Sequence, residues 1–387
     1  MNPEPMPDLI VVPDTGTSQT RTFWRRWSVN GKTQLLLMGS AFLEIAPADL
    51  VDTGFSGGRP EQDAVIELAN GNLYAIGMKA QQMRGKPPTD LNKYEFAVYK
   101  TLAVIGAIAQ TLDLPEHFTV AIAALLPYVE YRDKARFIDL FTANLDCFRF
   151  RGQSYSVTPT LLEVKPEGAG LAHNRRNEVP YTFDQQNILV GIVGQRDASL
   201  LPFKQGTADD GKGERLGFGR FLEDVISRAA LNLPPRDVAR MTEYLFKAQT
   251  EPQYLDRMAR LVVTEAERER KVEQIREAIA TAKKRYLADL LEWMQRALGA
   301  DLYEFDEVIF SGGGALYLRS DLEAFFAQYN LSVSWADTLQ HQISQSLGYS
   351  LDPVMACRVS DAFGVYKVLG GKVQRLTQTQ NLTTALR

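Results

Sequence analysis

Asp14-Thr15-Gly16-Thr17-Ser18-Gln19-Thr20-Arg21 joins two runs of strand-like residues, and its reading decides the rest of the chain. Before it stands Leu9-Ile10-Val11-Val12, a short branched apolar run that reads as a buried strand and stops at Pro13. After it, Thr20 to Val29 resumes as a strand rich in Thr, Phe, Trp and Val. Asn30-Gly31 then supplies the two positive-φ positions of a type I′ hairpin turn, and Lys32–Met38 returns. The beginning of the chain therefore reads as a three-stranded meander with a small polar loop at its first turn. Thr17, Ser18 and the local amides suit an anion, Arg21 points back toward it, and Asp14 can hold a divalent cation through water. An ordinary hairpin would use the same Asp and Gly only to turn, and the segment alone leaves both readings open.

Two more loops of this kind follow. Asn187–Gly191 reads as a buried strand, Gly194-Gln195-Arg196-Asp197 as a polar turn, and Ser199–Phe203 as the next strand. Glu307–Phe310 runs into Ser311-Gly312-Gly313-Gly314-Ala315 ahead of a helix over Leu318–Tyr329. Consecutive glycines cost conformational entropy and a simple turn needs one, so an approaching ligand is the favoured reading. Elsewhere Ala64–Leu68 and Asn72–Ile76 flank Asn70-Gly71, Leu91–Leu112 has helical apolar spacing, and Phe118–Leu126 reads as a strand. Phe148–Val157 and Thr160–Val164 are expected to flank a turn. Lys165-Pro166-Glu167-Gly168-Ala169-Gly170 is a turn whose Glu167 either orients a water or is a solvated loop residue. Helices are expected over Phe221–Asn232, Arg236–Lys247 and, as one bent helix or two, Asp256–Leu298. A last helix, Val354–Leu369, is expected to close at Gly370-Gly371, leaving a polar, mobile tail. Small polar loops at strand ends in each half of an α/β chain predict a nucleotide held in a cleft between the halves.

Composition narrows the alternatives. The 387 residues carry 43 Lys+Arg against 47 Asp+Glu, with 45% hydrophobic and 23% charged, which excludes a disordered chain and gives no basic footprint for nucleic acid. Cys147 and Cys357 are too few for a disulfide framework and fit a reducing compartment, and the three histidines form no zinc pattern. No apolar run approaches the ~20 residues of a membrane span, and Met1–Leu9 lacks signal character, so a cytoplasmic protein is expected. Neither a Gly-x4-Gly-Lys-[Ser/Thr] loop nor a Gly-x-Gly-x-x-Gly fingerprint is present. Arg21–Trp27 interleaves basic and aromatic residues, but on a strand this pattern favours packing over single-stranded nucleic acid.

In their order these pieces resemble the actin-like ATPase superfamily, and within it the bacterial plasmid-segregation actins of the ParM type. Asp14-x-Gly16-x-Ser18-x-x-Arg21 is similar to the first phosphate motif, where the family normally has Lys at the position of Arg21. Lys165–Gly170 is similar to the first connecting segment, Ser311–Ala315 to the adenosine motif, and Ser360-Asp361-Ala362-Phe363-Gly364-Val365-Tyr366-Lys367 to the second connecting helix. The helix beginning Asn92-Lys93-Tyr94-Glu95 resembles the one after the small subdomain of lobe I. The second phosphate motif departs from the family's Asp-x-Gly-x-x-Thr-x-Asp. Ile192, Asp197 and Ser199 stand for its Asp, Thr and Asp, and only Gly194 keeps its place.

The resemblance implies an α/β, two-lobed actin-like fold of duplicated ribonuclease H-like units. Lobe I would hold 1–175 plus 346–387 with an insert near 35–90, and lobe II 176–345 with an insert within 205–275. It implies a filament-forming protein binding ATP or GTP with Mg²⁺, hydrolysing slowly, and acting in plasmid segregation or as a cytoskeletal element. Asp14 would hold Mg²⁺ through water and serve catalysis with Glu167. Gly16, Thr17, Ser18 and Arg21, with Gly194, Gln195, Arg196 and Asp197, would embrace the phosphates, and Gly312, Gly313, Gly314 and Ala315 would border the base. Partners would be copies of itself and a DNA-bound adaptor. A non-hydrolysing scaffold for cell shape and a small-molecule kinase of the same superfamily are the alternatives, the kinase needing a carboxylate base at the second phosphate loop.

Overall fold

The computed structural model describes residues 6–28, 31–53, 57–87, 93–234 and 237–385. Asn30 of the expected hairpin turn and Asn92 of the expected helix start lie outside these residues. In the first half, the strands are β1 (Leu9–Thr15), β2 (Gln19–Arg26), β3 (Gln34–Gly39), β4 (Phe42–Ile45), β5 (Ala64–Leu68), β6 (Leu73–Ile76), β7 (His117–Leu126), β8 (Phe148–Phe150) and β9 (Gln153–Pro166). They form one nine-stranded sheet in the order β3-β2-β1-β7-β9-β8-β5-β6-β4. β1 pairs antiparallel with β2 and parallel with β7, and β7 pairs parallel with β9. β1 is buried throughout, as its unbroken branched run requires of a central strand covered on both faces.

The second half repeats this plan. Its strands are β10 (Asn187–Val193), β11 (Ala198–Lys204), β12 (Thr207–Ala208), β13 (Lys212–Glu214), β14 (Glu307–Ser311) and β15 (Ser332–Ser334). The order is β12-β11-β10-β14-β15, with β13 also on β11. β10 pairs antiparallel with β11 and parallel with β14, and β14 pairs parallel with β15. A hairpin followed by parallel crossovers thus occurs twice, giving the two-lobed α/β architecture expected from the sequence.

Alternation along β1 sorts its side chains. Leu9 and Val11 pack on the lobe I side with the helix Lys93–Thr111. Ile10 and Val12 face a second core with Val359, Ala362, Phe363 and Val365 of the C-terminal helix, and with Leu171 and Ala172 of the helix Ala169–Glu178. The latter core also takes Ile188, Val190 and Ile192 from β10, so it lies between the lobes and joins them. Behind β10 and β14, the helices Phe218–Arg228, Gln253–Arg260 and Arg268–Leu298 share a third core. No helix among the described residues is long and apolar enough to cross a membrane.

Two expectations differ from what is observed. No turn interrupts β9; Pro159 pairs with Val120 and the register shifts at the next residue, so a bulge absorbs the proline. The turn falls instead at Arg151-Gly152, with φ 49° and 83°, the two positive values a tight hairpin needs. The stretch Asp256–Leu298, expected as two helices or one bent one, is two, with Arg268–Leu298 running for 31 residues. The last helix does not stop at Gly370-Gly371 but spans Pro353–Ala385. A mid-helix glycine costs about 1 kcal/mol, and tertiary packing offsets it here. A Cβ on Gly370 would sit 3.3 Å from the Arg25 guanidinium, Val373 is buried, and the Thr377 hydroxyl reaches Met6.

Candidate functional site

The predicted loops sit at the carboxyl ends of strands, where open α/β sheets bind ligands. The Asp14–Ser18 loop ends β1, the Gly194–Asp197 loop ends β10, and the Gly312–Ala315 loop ends β14. Glu167 follows β9, and its amide donates to Leu126 O at the end of β7 (2.8 Å).

Asp14 and Arg21 are direct cross-strand partners, so their side chains share a face. The Arg21 guanidinium meets the Asp14 carboxylate at 2.6 Å, and both side chains are nearly buried. A Cβ on Gly16 would lie 2.8 Å from the Gln19 carbonyl oxygen and 2.6 Å from Arg21 Nη2, so the turn leaves a side chain no room. Arg21 Nε is buried without a hydrogen-bond partner, a donor in want of an acceptor.

Two residues to which the sequence reading gave no role complete this region. From the C-terminal helix, Arg358 Nη2 donates to Ser18 Oγ at 2.9 Å, and its Cδ lies 3.6 Å from where a Cβ on Gly313 would stand. Arg358 therefore touches the first loop of lobe I and the glycine loop of lobe II together. Burial and the neighbouring Arg21 charge push its pKa down to about 10. Asp361, one turn further on, accepts from the amides of Gly168 (2.7 Å) and Gly170 (2.8 Å). Burial pushes its carboxyl up to about 7 despite these amides, with Glu167 and Asp14 adding to the rise. The helices around it cross backbone against backbone. A Cβ on Gly170 would lie 2.0 Å from Asp361 O, and one on Gly364 would lie 2.3 Å from Gly170 O.

The second loop is held differently. The amides of Gly217, Phe218 and Gly219, which open the helix Phe218–Arg228, donate to the carbonyls of Arg196, Gly194 and Gln195 at 2.7–2.9 Å. A Cβ on Gly217 would stand 2.3 Å from the Arg196 carbonyl carbon. The Arg196 side chain ion-pairs with Glu130 and with Asp197 (2.8 Å for the latter). Burial opposes its charge, but the two carboxylates prevail and hold its pKa above the ordinary value. Glu130 belongs to the short helix Tyr128–Tyr131 after β7 and also accepts from the Tyr94 amide (2.7 Å). Its pair with Arg196 thus crosses between the lobes. Nearby, the Tyr128 hydroxyl donates to Asp210 and Arg132 pairs with the same carboxylate.

Of the three consecutive glycines, two are explained by packing. Gly312 has φ 97° and lies against Val193 O, and Gly314 lies against Val193 and Phe218. Gly313 instead adjoins Arg358 and Phe246. A cavity of about 460 Å³ lies among the helices of lobe II, lined by Leu245, Gln249, Lys283 and Tyr317 among others.

The donor set suits an anionic group: Arg21, Arg358 and Ser18 outnumber the one carboxylate, Asp14, that is paired among them. For a cation, the described residues contain no cluster of three or more metal-ligating side chains. A Mg²⁺ ion at Asp14 would depend on water and phosphate oxygens for its other ligands, as this ion commonly does.

The architecture and the placement of these loops define an actin-like fold of the ParM type. Among solved structures, the chain is similar to a ParM filament protein from Clostridium botulinum, solved as a 15-stranded filament, at 13% identity and TM-score 0.59 over 95% of this chain and 100% of that one. It is also similar to the apo ParM protein of pSK41 (12% identity, TM-score 0.55, 95% and 99% covered) and to an archaeal actin homologue in complex with ADP (14%, 0.58, 93% and 98%). No protein-family model matches the sequence, and no curated protein matches it.

Proposed function

We propose that this chain is a nucleotide-dependent, filament-forming actin-like protein working in the cytoplasm, with a nucleotide and Mg²⁺ in the cleft between its lobes. The observation that carries this reading is the convergence of the Asp14–Arg21 pair, Glu167 and the buried Asp361 at the strand ends where the lobes meet. The solved relatives add support, since they include a filament and complexes with ADP and AMPPNP. Bound ATP or GTP would supply the polyphosphate whose hydrolysis resets the filament. Arg21 and Ser18 hold phosphate oxygens, Gly16 and Thr17 let the backbone approach them, and Asp14 fixes the metal's water. The Gly194–Asp197 loop borders the phosphates from lobe II, Gly312–Ala315 borders the base, and Glu167 orients the attacking water. Plasmid segregation through a DNA-bound adaptor is the role such a filament would serve.

One observation favours a second reading, a scaffold filament with little hydrolysis. Ile192 takes the place of an acid and is packed in the interlobe core, while Asp197 is bound to Arg196. The Arg196 pair also removes Asp197 as a base for a kinase. Ultracentrifugal pelleting with ATP, ADP, GTP or no nucleotide, run beside phosphate release, separates these readings. Nucleotide-dependent polymer is expected; polymer without phosphate release supports the scaffold, and no polymer under any condition refutes the filament. Asp14→Ala should abolish nucleotide dependence, and an unaffected variant would refute the site.

A further inference from the structure

The C-terminal helix carries a cation that no sequence motif announces. Arg358 extends from this helix into the space between the Asp14–Ser18 loop and the glycine loop. The hydrogen bond described for its side chain goes to a neutral group, the Ser18 hydroxyl at 2.9 Å. Its charged neighbours are a second guanidinium, Arg21, and the carboxylates of Asp14 and Asp352. Asp14, however, already pairs with Arg21 at 2.6 Å, and Arg21 Nε still has no partner. Two guanidinium groups thus face one space with the Asp14 carboxylate between them, while Asp352 stands exposed at the start of the helix and accepts from the Met355 amide, and burial makes the uncompensated charge costly. Such a pair lowers its energy when an anion enters, and a guanidinium fork suits the tetrahedral oxygens of a phosphate.

The opposite side of the cleft has its positive groups already engaged. The amides at the start of the helix Phe218–Arg228 form a natural anion site, but they are spent on the carbonyls of Gly194, Gln195 and Arg196. The Arg196 charge is spent on Glu130 and Asp197. Lobe II therefore offers little free positive charge from its own loop.

We propose that Arg358 is a phosphate-binding residue of the nucleotide site, paired with Arg21 and Ser18, and that it supplies the cation the second loop withholds. The assignment rests on the proposed nucleotide-binding function and goes beyond it in naming the residue and the part of the ligand it holds. Because the same side chain lies against Gly313, an occupied site ties the glycine loop of lobe II to the first loop of lobe I.

The test measures equilibrium binding of ATP, GTP and adenosine to the full chain with wild-type Arg358, Arg358→Met and Arg358→Lys. Methionine keeps the aliphatic stem beside Gly313 and removes the charge; lysine keeps the charge and loses the fork. Loss of one charge-assisted contact should weaken ATP and GTP by the same factor, about 10- to 100-fold, and leave adenosine unchanged. The lysine variant should fall between, and thermal melting without nucleotide should show both variants folded. Wild-type affinity for ATP in Arg358→Met overturns the assignment alone. A loss confined to ATP, with GTP unaffected, also overturns it, because it places Arg358 on the base. Wild-type protein that binds neither triphosphate overturns the underlying nucleotide reading instead. Should Arg358→Met fail to fold, Ser18→Ala takes its place, and an unchanged affinity for both triphosphates in that variant counts against the site.

Discussion

The loop after β1 and the loop after β10 occupy the same position in two copies of one strand pattern, yet they are held in opposite ways. In the first, the Asp14–Arg21 pair leaves Arg21 Nε unpartnered, and Arg358 reaches Ser18 from the C-terminal helix. In the second, helix amides close on the loop's carbonyls and the arginine is bound on both sides by carboxylates. A duplicated fold needs only one phosphate-facing loop of full polarity if a neighbouring helix supplies the missing charge. The other loop is then free to bind the lobes to each other.

The comparison breaks most directly at Arg196. Arg196→Met strands Glu130 and Asp197 as buried carboxylates and should cost about 4 kcal/mol of stability by denaturant unfolding. Adding Glu130→Gln should recover part of that loss, and a double-mutant cycle without coupling would show that the interlobe pair carries no energy. Gly217→Ala comes next. Its Cβ has no room beside the Arg196 carbonyl carbon, so a loss of about 3 kcal/mol is expected, and a neutral result would mean that the cap is loose.

Asp361 tests the first loop's surroundings through pH. Its folded pKa of about 7 lies above the ordinary carboxylate value, so its contribution to stability is fullest below the unfolded pKa and is lost as pH rises toward and through 7. Raising pH from 5 to 7 should remove about 2 kcal/mol from the wild type that Asp361→Asn does not lose. Parallel curves from urea unfolding at each pH would contradict the assignment. The smallest effect is expected at Gln195, whose backbone is held by the cap and whose side chain takes no described ion pair. Gln195→Ala should stay within about 0.5 kcal/mol, and a larger loss would place its side chain in the latch.

The fold was readable because its signals are local. Leu9–Val12 and Asn187–Gly191 are unbroken apolar strands, each followed by a small polar turn and a second strand, and that repetition is the duplicated lobe. Gly370-Gly371 misled because a C-cap signature is local too, whereas the packing of Val373 and Thr377 that overrides it joins residues distant in sequence. The turn expected near Pro159 failed similarly, since a bulge opposite Val120 can be seen only with both strands present. At the site, the loops were legible as clusters of small polar residues. Arg358 and Glu130 were not, because an arginine within a helix and a glutamate in a short turn resemble ordinary solvated side chains. Asp361 stood inside a quoted motif, but only its burial against the Gly168 and Gly170 amides gives it a role.

The crossing of Gly170 with Gly364 has a mechanical consequence. With no side chain between the two backbones at this point, the contact is a bare fulcrum. From Gly364 to Ala385 the helix runs on for about 32 Å, and buried Leu369 and Val373 with the Thr377–Met6 contact fasten that length to lobe I, so whatever turns at the crossing turns the lobe with it.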